Sequence, residues 1–175
     1  ISFADCQARG CLGGWSTSFW DEVMGEAMGG LFSAPYELLL GRKTYEIFAA
    51  HWPYVTEGDD LPIAEQFNRI RKYVATHRPE SLHWKNSVAL GSDPVSKLRE
   101  LKNEAGPDLL TQGSSDFIQT LFAHDLVDEL RVLTFPVVLG KGKRLFRSDL
   151  DLSQLELIDS QTTSKGVLLL RYKPV

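Results

Sequence analysis

Twice in this chain of 175 residues a short strand-like run with adjacent leucines ends at a glycine and a helical pattern starts just beyond it. Tyr36 to Leu40 reads as a buried strand broken by Gly41, with a helix from Thr44 to Ala50. Asp108 to Gln112 reads as a strand and Gly113 as a turn; Asp116 to His124 follows as a helix burying Phe117, Leu121 and Phe122. A leucine run such as Leu38 to Leu40 suits a strand covered on both faces, and strand followed by helix is the repeating unit of a parallel sheet. The pattern therefore limits the chain to layered α/β folds. It also puts two glycine turns at the C-terminal ends of strands, where open α/β sheets take up ligands.

The flanking segments extend this reading. Trp20, Val23, Met24, Ala27, Met28 and Leu31 recur at helical spacing and predict a helix from Phe19 to Leu31 with one core-facing stripe, its start capped by Ser18 with Asp21 three residues on. Pro62 opens a further helix with Ile63, Phe67 and Ile70 on one face, and Lys72 to Thr76 and Ser87 to Leu90 are short strands. Asp93 and Pro94 start the next helix, Val95, Leu98 and Leu101 supply its buried side, and Gly106 follows its end. From Glu129 the helices stop. Glu129 to Phe135, Leu155 to Gln161 and Val167 to Lys173 read as strands, with Ser164-Lys165-Gly166 as a hairpin turn. The expected fold class is α/β, a mixed, mostly parallel sheet flanked by helices that gains antiparallel strands at its C-terminal end. With no linker, repeat or low-complexity tract, residues 1–175 are expected to form a single domain.

Composition narrows the function. A chain of this size buries about 70% of the surface its unfolded form exposes, enough for a core without staples. A formal net charge of −4 lacks the basic surplus of a nucleic-acid binder. No apolar run reaches the roughly 18 residues of a membrane span. The expectation is a cytoplasmic protein that engages neither nucleic acid nor membrane. The chain opens at Ile1 rather than Met, and no signal segment is visible in it. Cys6 and Cys11 lack a second Cys/His pair at matching spacing, which argues against zinc; they are either a disulfide or the reduced thiols of a cytosolic protein. His51, His77, His83 and His124 show no ligand spacing, and no metal site is expected.

Three stretches carry possible chemistry. In Gly41-Arg42-Lys43-Thr44, two cations meet a helix N-terminus, where cations cost about 0.3–1 kcal/mol each unless an anion binds there; the alternative is that both reach water or a carboxylate such as Glu46. In Gly113-Ser114-Ser115-Asp116, free N–H groups and hydroxyls suit a phosphate, or else Ser114 or Ser115 caps the helix. In Gly140-Lys141-Gly142-Lys143-Arg144, glycines and cations form either a ligand loop or a solvated basic face, and charge alone favours the latter. A dinucleotide, whose phosphates and adenosine span several strands, can use the first two turns together.

At these residues the chain resembles a known family. Leu38 to Phe48 (LLLGRKTYEIF), Asp108 to Phe122 (DLLTQGSSDFIQTLF) and Leu126 to Phe146 (LVDELRVLTFPVVLGKGKRLF) are similar to the dihydrofolate-reductase-like family. More narrowly, they resemble stand-alone relatives of the C-terminal reductase domain of the bifunctional riboflavin-biosynthesis deaminase-reductase. The likeness runs from about Trp15 to Tyr172. It implies a three-layer α/β fold, NADPH as hydride donor, a small heterocyclic or carbonyl substrate and a homodimer. By motif, Gly41, Arg42, Lys43 and Thr44 would contact the cofactor phosphates, Thr76, His77 and Arg78 the adenosine end, and Gly113, Ser114 and Ser115 the pyrophosphate. Gly140 and Gly142 would lie near the ligand cleft. The family's N-terminal segment lining the nicotinamide pocket matches poorly here, and Asp5 is the candidate for its acidic, catalytic residue. No zinc deaminase domain and no tryptophan loop of true dihydrofolate reductases is recognisable. The competing expectation is a nucleotide- or flavin-binding module without turnover.

Overall fold

The structure, a computed structural model, describes residues 15–140, 144–146 and 154–175. Asp5, Cys6, Cys11 and Gly142 lie outside the described residues. The described α-helices are α1 (Glu22–Leu31), α2 (Arg42–Ala49), α3 (Leu61–Arg69), α4 (Pro94–Asn103) and α5 (Ser115–Ala123). The strands are β1 (Tyr36–Gly41), β2 (Lys72–Ala75), β3 (Ser87–Ala89), β4 (Asp108–Leu110), β5 (Leu130–Thr134), β6 (Leu155–Thr162) and β7 (Leu168–Pro174). The chain divides into two compact units, one of them Ala34–Ile118 and the other built from residues on either side of it. Among the described residues no helix is long and apolar enough to cross a membrane.

The unit Ala34–Ile118 holds a four-stranded sheet in the order β3-β2-β1-β4, parallel throughout. Leu38, Leu39 and Leu40 of β1 are all buried, which is why this strand reads as an unbroken apolar run. Its neighbours are in register at Leu39↔Tyr73 on β2 and Leu38↔Leu110 on β4. Between β1 and β2, Phe67 of α3 is fully buried and meets Phe48, Trp52 and Tyr36 ring to ring, at centroid distances of 5.8, 5.1 and 6.5 Å. Asp93 caps α4 as its position predicts, accepting from the Ser96 amide at 3.0 Å, with Pro94 in the first turn. Leu98 alone of the predicted α4 stripe is buried; Val95 and Leu101 are half-covered.

Lys72 departs from any expectation for a charged strand residue, because it is fully buried. Its Nζ donates to the Ile70 carbonyl at 2.8 Å and the Lys85 carbonyl at 2.9 Å, and it lies 4.4 Å from the Trp84 ring centroid. An ammonium has three donors, and two carbonyls with an aromatic face occupy them. Burial pushes its pKa down to about 8. Trp84 is fixed in turn: its backbone N–H donates to the Tyr45 hydroxyl at 2.9 Å and its indole N–H to Asn68 Oδ1 at 2.7 Å.

In the second unit β5, β7 and β6 form a three-stranded antiparallel sheet, in that order. The hydrogen-bonded pairs of the described residues thus fall into two sheets, where the sequence predicts one that changes direction. Met24 of α1, with Val167 and Leu169, forms its core, against which Phe19, Val23, Ala27, Met28 and Phe135 pack.

The start of α1 differs from the prediction. Thr17–Phe19 is a 3-10 turn, Trp20 is extended and 44% exposed, and the helix begins after Asp21. Asp21 accepts from the Met24 amide at 2.9 Å, which makes it the cap that the sequence assigns to Ser18. Its carboxylate also accepts from the Ser164 hydroxyl at 2.7 Å, and these bonds, Ser164 foremost, hold it below the usual carboxylate range. A carboxylate with two donors outweighs a lone serine, whose hydroxyl here donates to the Trp15 carbonyl. The division between the two units falls inside α5, after Ile118.

Candidate functional site

Parallel pairing brings the C-terminal ends of four strands to one edge, spaced by about 4.8 Å per strand. In spatial order that edge carries Gly91 and Ser92 after β3, Thr76 to Arg78 after β2, Gly41 closing β1 with Arg42 to Thr44 after it, and Gln112 to Ser114 after β4. All lie within Ala34–Ile118. The turn after β3 repeats the strand–glycine–helix pattern, with Gly91 at φ 83°. Sequence reading missed it because Asp93 and Pro94 were sufficient to explain the helix start, although the same glycine signal was present.

The turns after β1 and β4 touch. The Gly41 N–H donates to Ser114 Oγ at 2.9 Å, and Ser114 Oγ donates to Thr44 Oγ1 at 2.7 Å. Gly41 has an extended backbone, φ −75° and ψ 155°, that any residue adopts; its requirement is space. A Cβ there would meet Ser114 Oγ at 3.0 Å, Ser114 Cβ at 3.1 Å and Phe117 Cβ at 3.2 Å. The second turn is the conformationally demanding one. Gly113 and Ser114 both take left-handed backbone, at φ 76° and 65°. For Gly113 this is free of steric penalty; for Ser114 it is a strained state that the surroundings must hold. The Ser114 carbonyl accepts from the Ile118 amide at 2.9 Å, as a cap residue's does, yet its hydroxyl faces the neighbouring turn and not its own helix.

The cations beside these turns have partners. Arg42 Nη1 lies 2.9 Å from Glu46 Oε1, and Lys43 Nζ lies 4.0 Å from Asp116 Oδ2. Of the two alternatives open from sequence, the carboxylate contact is therefore present for both. Exposed pairs of this kind contribute at most about 1 kcal/mol, so an arriving phosphate can exchange with them. Arg42 and Lys43 stand at the helix N-terminus as the sequence predicts, and the helix starts at Arg42 and not at Thr44, so both lie inside its first turn. After β2, Thr76 is buried and its Oγ1 accepts from the Arg78 amide at 3.0 Å, while His77 and Arg78 are exposed. Ser115 is the first residue of α5.

The structure thus brings together Gly41, Arg42, Lys43, Thr44, Gly113, Ser114 and Ser115, and sets Thr76, His77 and Arg78 on the neighbouring strand end. Gly140, at φ 72°, follows β5 in the other unit. One further residue emerges from the structure alone. Gln112, two residues beyond β4, has a buried side-chain nitrogen without a hydrogen-bond partner among the described residues.

Comparison with known proteins gives the family and the fold. The sequence model of the family described as RibD C-terminal domain matches residues 12–169. Two proteins of Bacillus subtilis (strain 168) are similar over most of their length. Uncharacterized protein YyaP is 26% identical over 136 residues, 77% of this chain and 72% of its own. Uncharacterized protein YwjB is 26% identical over 158 residues, 88% and 84%. Among solved structures, a "Putative riboflavin biosynthesis protein" from Shewanella sp. PV-4 superposes with a TM-score of 0.61 at 20% identity, covering 89% of this chain and 81% of that one. A pyrimidine reductase-like protein from Corynebacterium diphtheriae superposes with a TM-score of 0.58 at 13% identity, covering 93% and 85%. At these identities the likeness shows the fold, which is α/β and dihydrofolate-reductase-like.

Proposed function

The chain belongs to the RibD C-terminal domain family, and from that membership we propose that it is an NADPH-dependent reductase of a small heterocyclic or carbonyl substrate. The observation that carries the proposal is the pair of joined turns, Gly41 to Thr44 and Gly113 to Ser115, each opening a helix at one edge of a parallel sheet. First-turn N–H groups lack partners within their own helix and point at whatever binds there, so two adjacent helix N-termini suit a diphosphate.

In this reading the first turns of α2 and α5 hold the pyrophosphate, while Arg42 and Lys43 exchange Glu46 and Asp116 for oxygens of the 2′-phosphate. Arg78, exposed beyond the adjacent strand end, is proposed to face the adenosine and the same 2′-phosphate. The bound cofactor supplies the hydride; the protein's part is to hold and orient it, exclude water and deliver a proton to the acceptor. Asp5 is the residue proposed for that proton, on the family resemblance. Gly140 and Gly142 are proposed to border the substrate.

The test is NADPH consumption, followed by absorbance, against a panel of pterins, deaminated pyrimidines and quinones. Consumption with one class and not the others identifies the substrate type. Binding of NADPH with no consumption by any class overturns the reductase reading in favour of a nucleotide-binding module.

A further inference from the structure

From the contact between the two turns we infer that Thr44 and Ser114 are positioning residues, whose hydroxyl bridge sets the spacing of the two helix N-termini so that they grip one diphosphate together. The inference rests on the nucleotide reading given under the proposed function and assigns roles within it. Ser114 Oγ accepts from the Gly41 N–H at 2.9 Å and donates to Thr44 Oγ1 at 2.7 Å. Its only proton is therefore directed at Thr44, and one of its two lone pairs is taken by Gly41. Thr44 is 4% exposed, too enclosed for a direct role on a ligand. What the bridge does is mechanical. It joins β1–α2 to β4–α5 across the sheet, and Ser114 keeps a left-handed backbone, φ 65°, to make it. Gly41 lets the two turns close to within 3.0 Å of where its Cβ would be.

A fixed spacing matters to a ligand that reaches both helix ends and not to one that reaches a single end. NADPH, which carries a pyrophosphate, is the first kind; adenosine 2′,5′-bisphosphate, which has separate monophosphates, is the second. The experiment is calorimetric titration of both nucleotides into the parent protein, Ser114→Ala, Thr44→Val, the double variant and Thr44→Ser. Each of the first two variants is expected to weaken NADPH by about tenfold, as loss of one hydrogen bond does. The double variant is expected to be no worse than either single, because both remove the same bridge. Thr44→Ser, which keeps the hydroxyl, is expected to bind like the parent, and adenosine 2′,5′-bisphosphate to bind all five proteins alike. Additive losses in the double variant would overturn the inference by showing that each hydroxyl meets the ligand on its own. Equal losses for both nucleotides would overturn it as general loosening of the site. A parent that binds neither nucleotide would instead overturn the reductase reading, a failure visible before any variant is made.

Discussion

Ser114 Oγ lies 2.7 Å from Thr44 Oγ1 although the two residues are 70 positions apart in sequence. The contact exists because β1 and β4 are neighbours in the sheet, in register at Leu38↔Leu110, so that the turns leaving them emerge side by side. Two local motifs that separately read as a capped helix and a cationic helix start become one structure at this point.

That closeness makes Gly41 intolerant of a side chain. Gly41→Ala would place a methyl 3.0–3.2 Å from Ser114 and from Phe117 Cβ, an atom that cannot swing away. Chemical denaturation is expected to show a loss of about 1–3 kcal/mol, the usual range for overpacking. Adding Ser114→Gly removes two of the three crowding atoms and suits the left-handed backbone, so the pair is expected to regain part of the loss. Unchanged stability of Gly41→Ala would mean that the turns do not approach this closely.

Helix α1 holds an opposite case. A Cβ on Gly25 would meet nothing within 4 Å, while its neighbour Met24 is fully buried. Gly25→Ala is expected to stabilise the protein by about 0.5–1 kcal/mol, the difference in helix propensity. Met24→Ala is expected to cost about 2–5 kcal/mol. A destabilising Gly25→Ala would reveal a contact on that helix face.

Lys72 gives the fold a pH dependence of definite sign. Its proton is held up to about pH 8 in the folded protein and up to about pH 10.5 in the unfolded chain. Between these values the unfolded state binds more protons, so stability rises with pH across that window. A shift of this size corresponds to at most about 3 kcal/mol, and the two carbonyls and the Trp84 ring, which favour the charged form, reduce it. The urea midpoint of the parent is expected to rise from pH 8 to 9.5, and that of Lys72→Met to lack this component. Identical slopes in both proteins would show that Lys72 is not the group responsible.

We propose a homodimer, as the family resemblance implies, formed through the antiparallel sheet. Cross-strand partners share a face, and register places Leu168, Leu170, Tyr172, Val132, Leu130 and Leu157 on the same one. Leu168 is 41% and Leu157 50% exposed. Light scattering at micromolar concentration is expected to give twice the chain mass for the parent and the single mass for Leu168→Glu. A monomeric parent would contradict the proposal.

What was legible in the sequence follows the range of the forces involved. The strand–glycine–helix turns were readable because an apolar run and a glycine are neighbours in the chain, and Asp93 with Pro94 announced α4 for the same reason. The Ser114 bridge was not, since its meaning depends on which strand lies beside β4. Lys72 read as an ordinary strand residue because the carbonyls that enclose it, at residues 70 and 85, converge only in the folded sheet. Trp20 fell at helical spacing and still lies outside the helix, because the Asp21 cap draws support from Ser164, 143 positions away. The antiparallel strands were identified individually, but local patterns do not say which strands pair, and the described pairs form a sheet of their own.

The central claim is that the edge carrying Gly41 and Gly113 binds NADPH through its phosphates. Calorimetric titration of NADPH and NADH into the parent and Arg42→Ala tests it most directly, with Gly113→Val as the second variant because φ 76° strains any residue with a side chain. The account predicts tighter binding of NADPH than NADH, a selective loss of NADPH affinity in Arg42→Ala, and no binding of either by a folded Gly113→Val protein. Equal affinities of the parent for the two nucleotides, or undiminished binding by folded Gly113→Val, would contradict it.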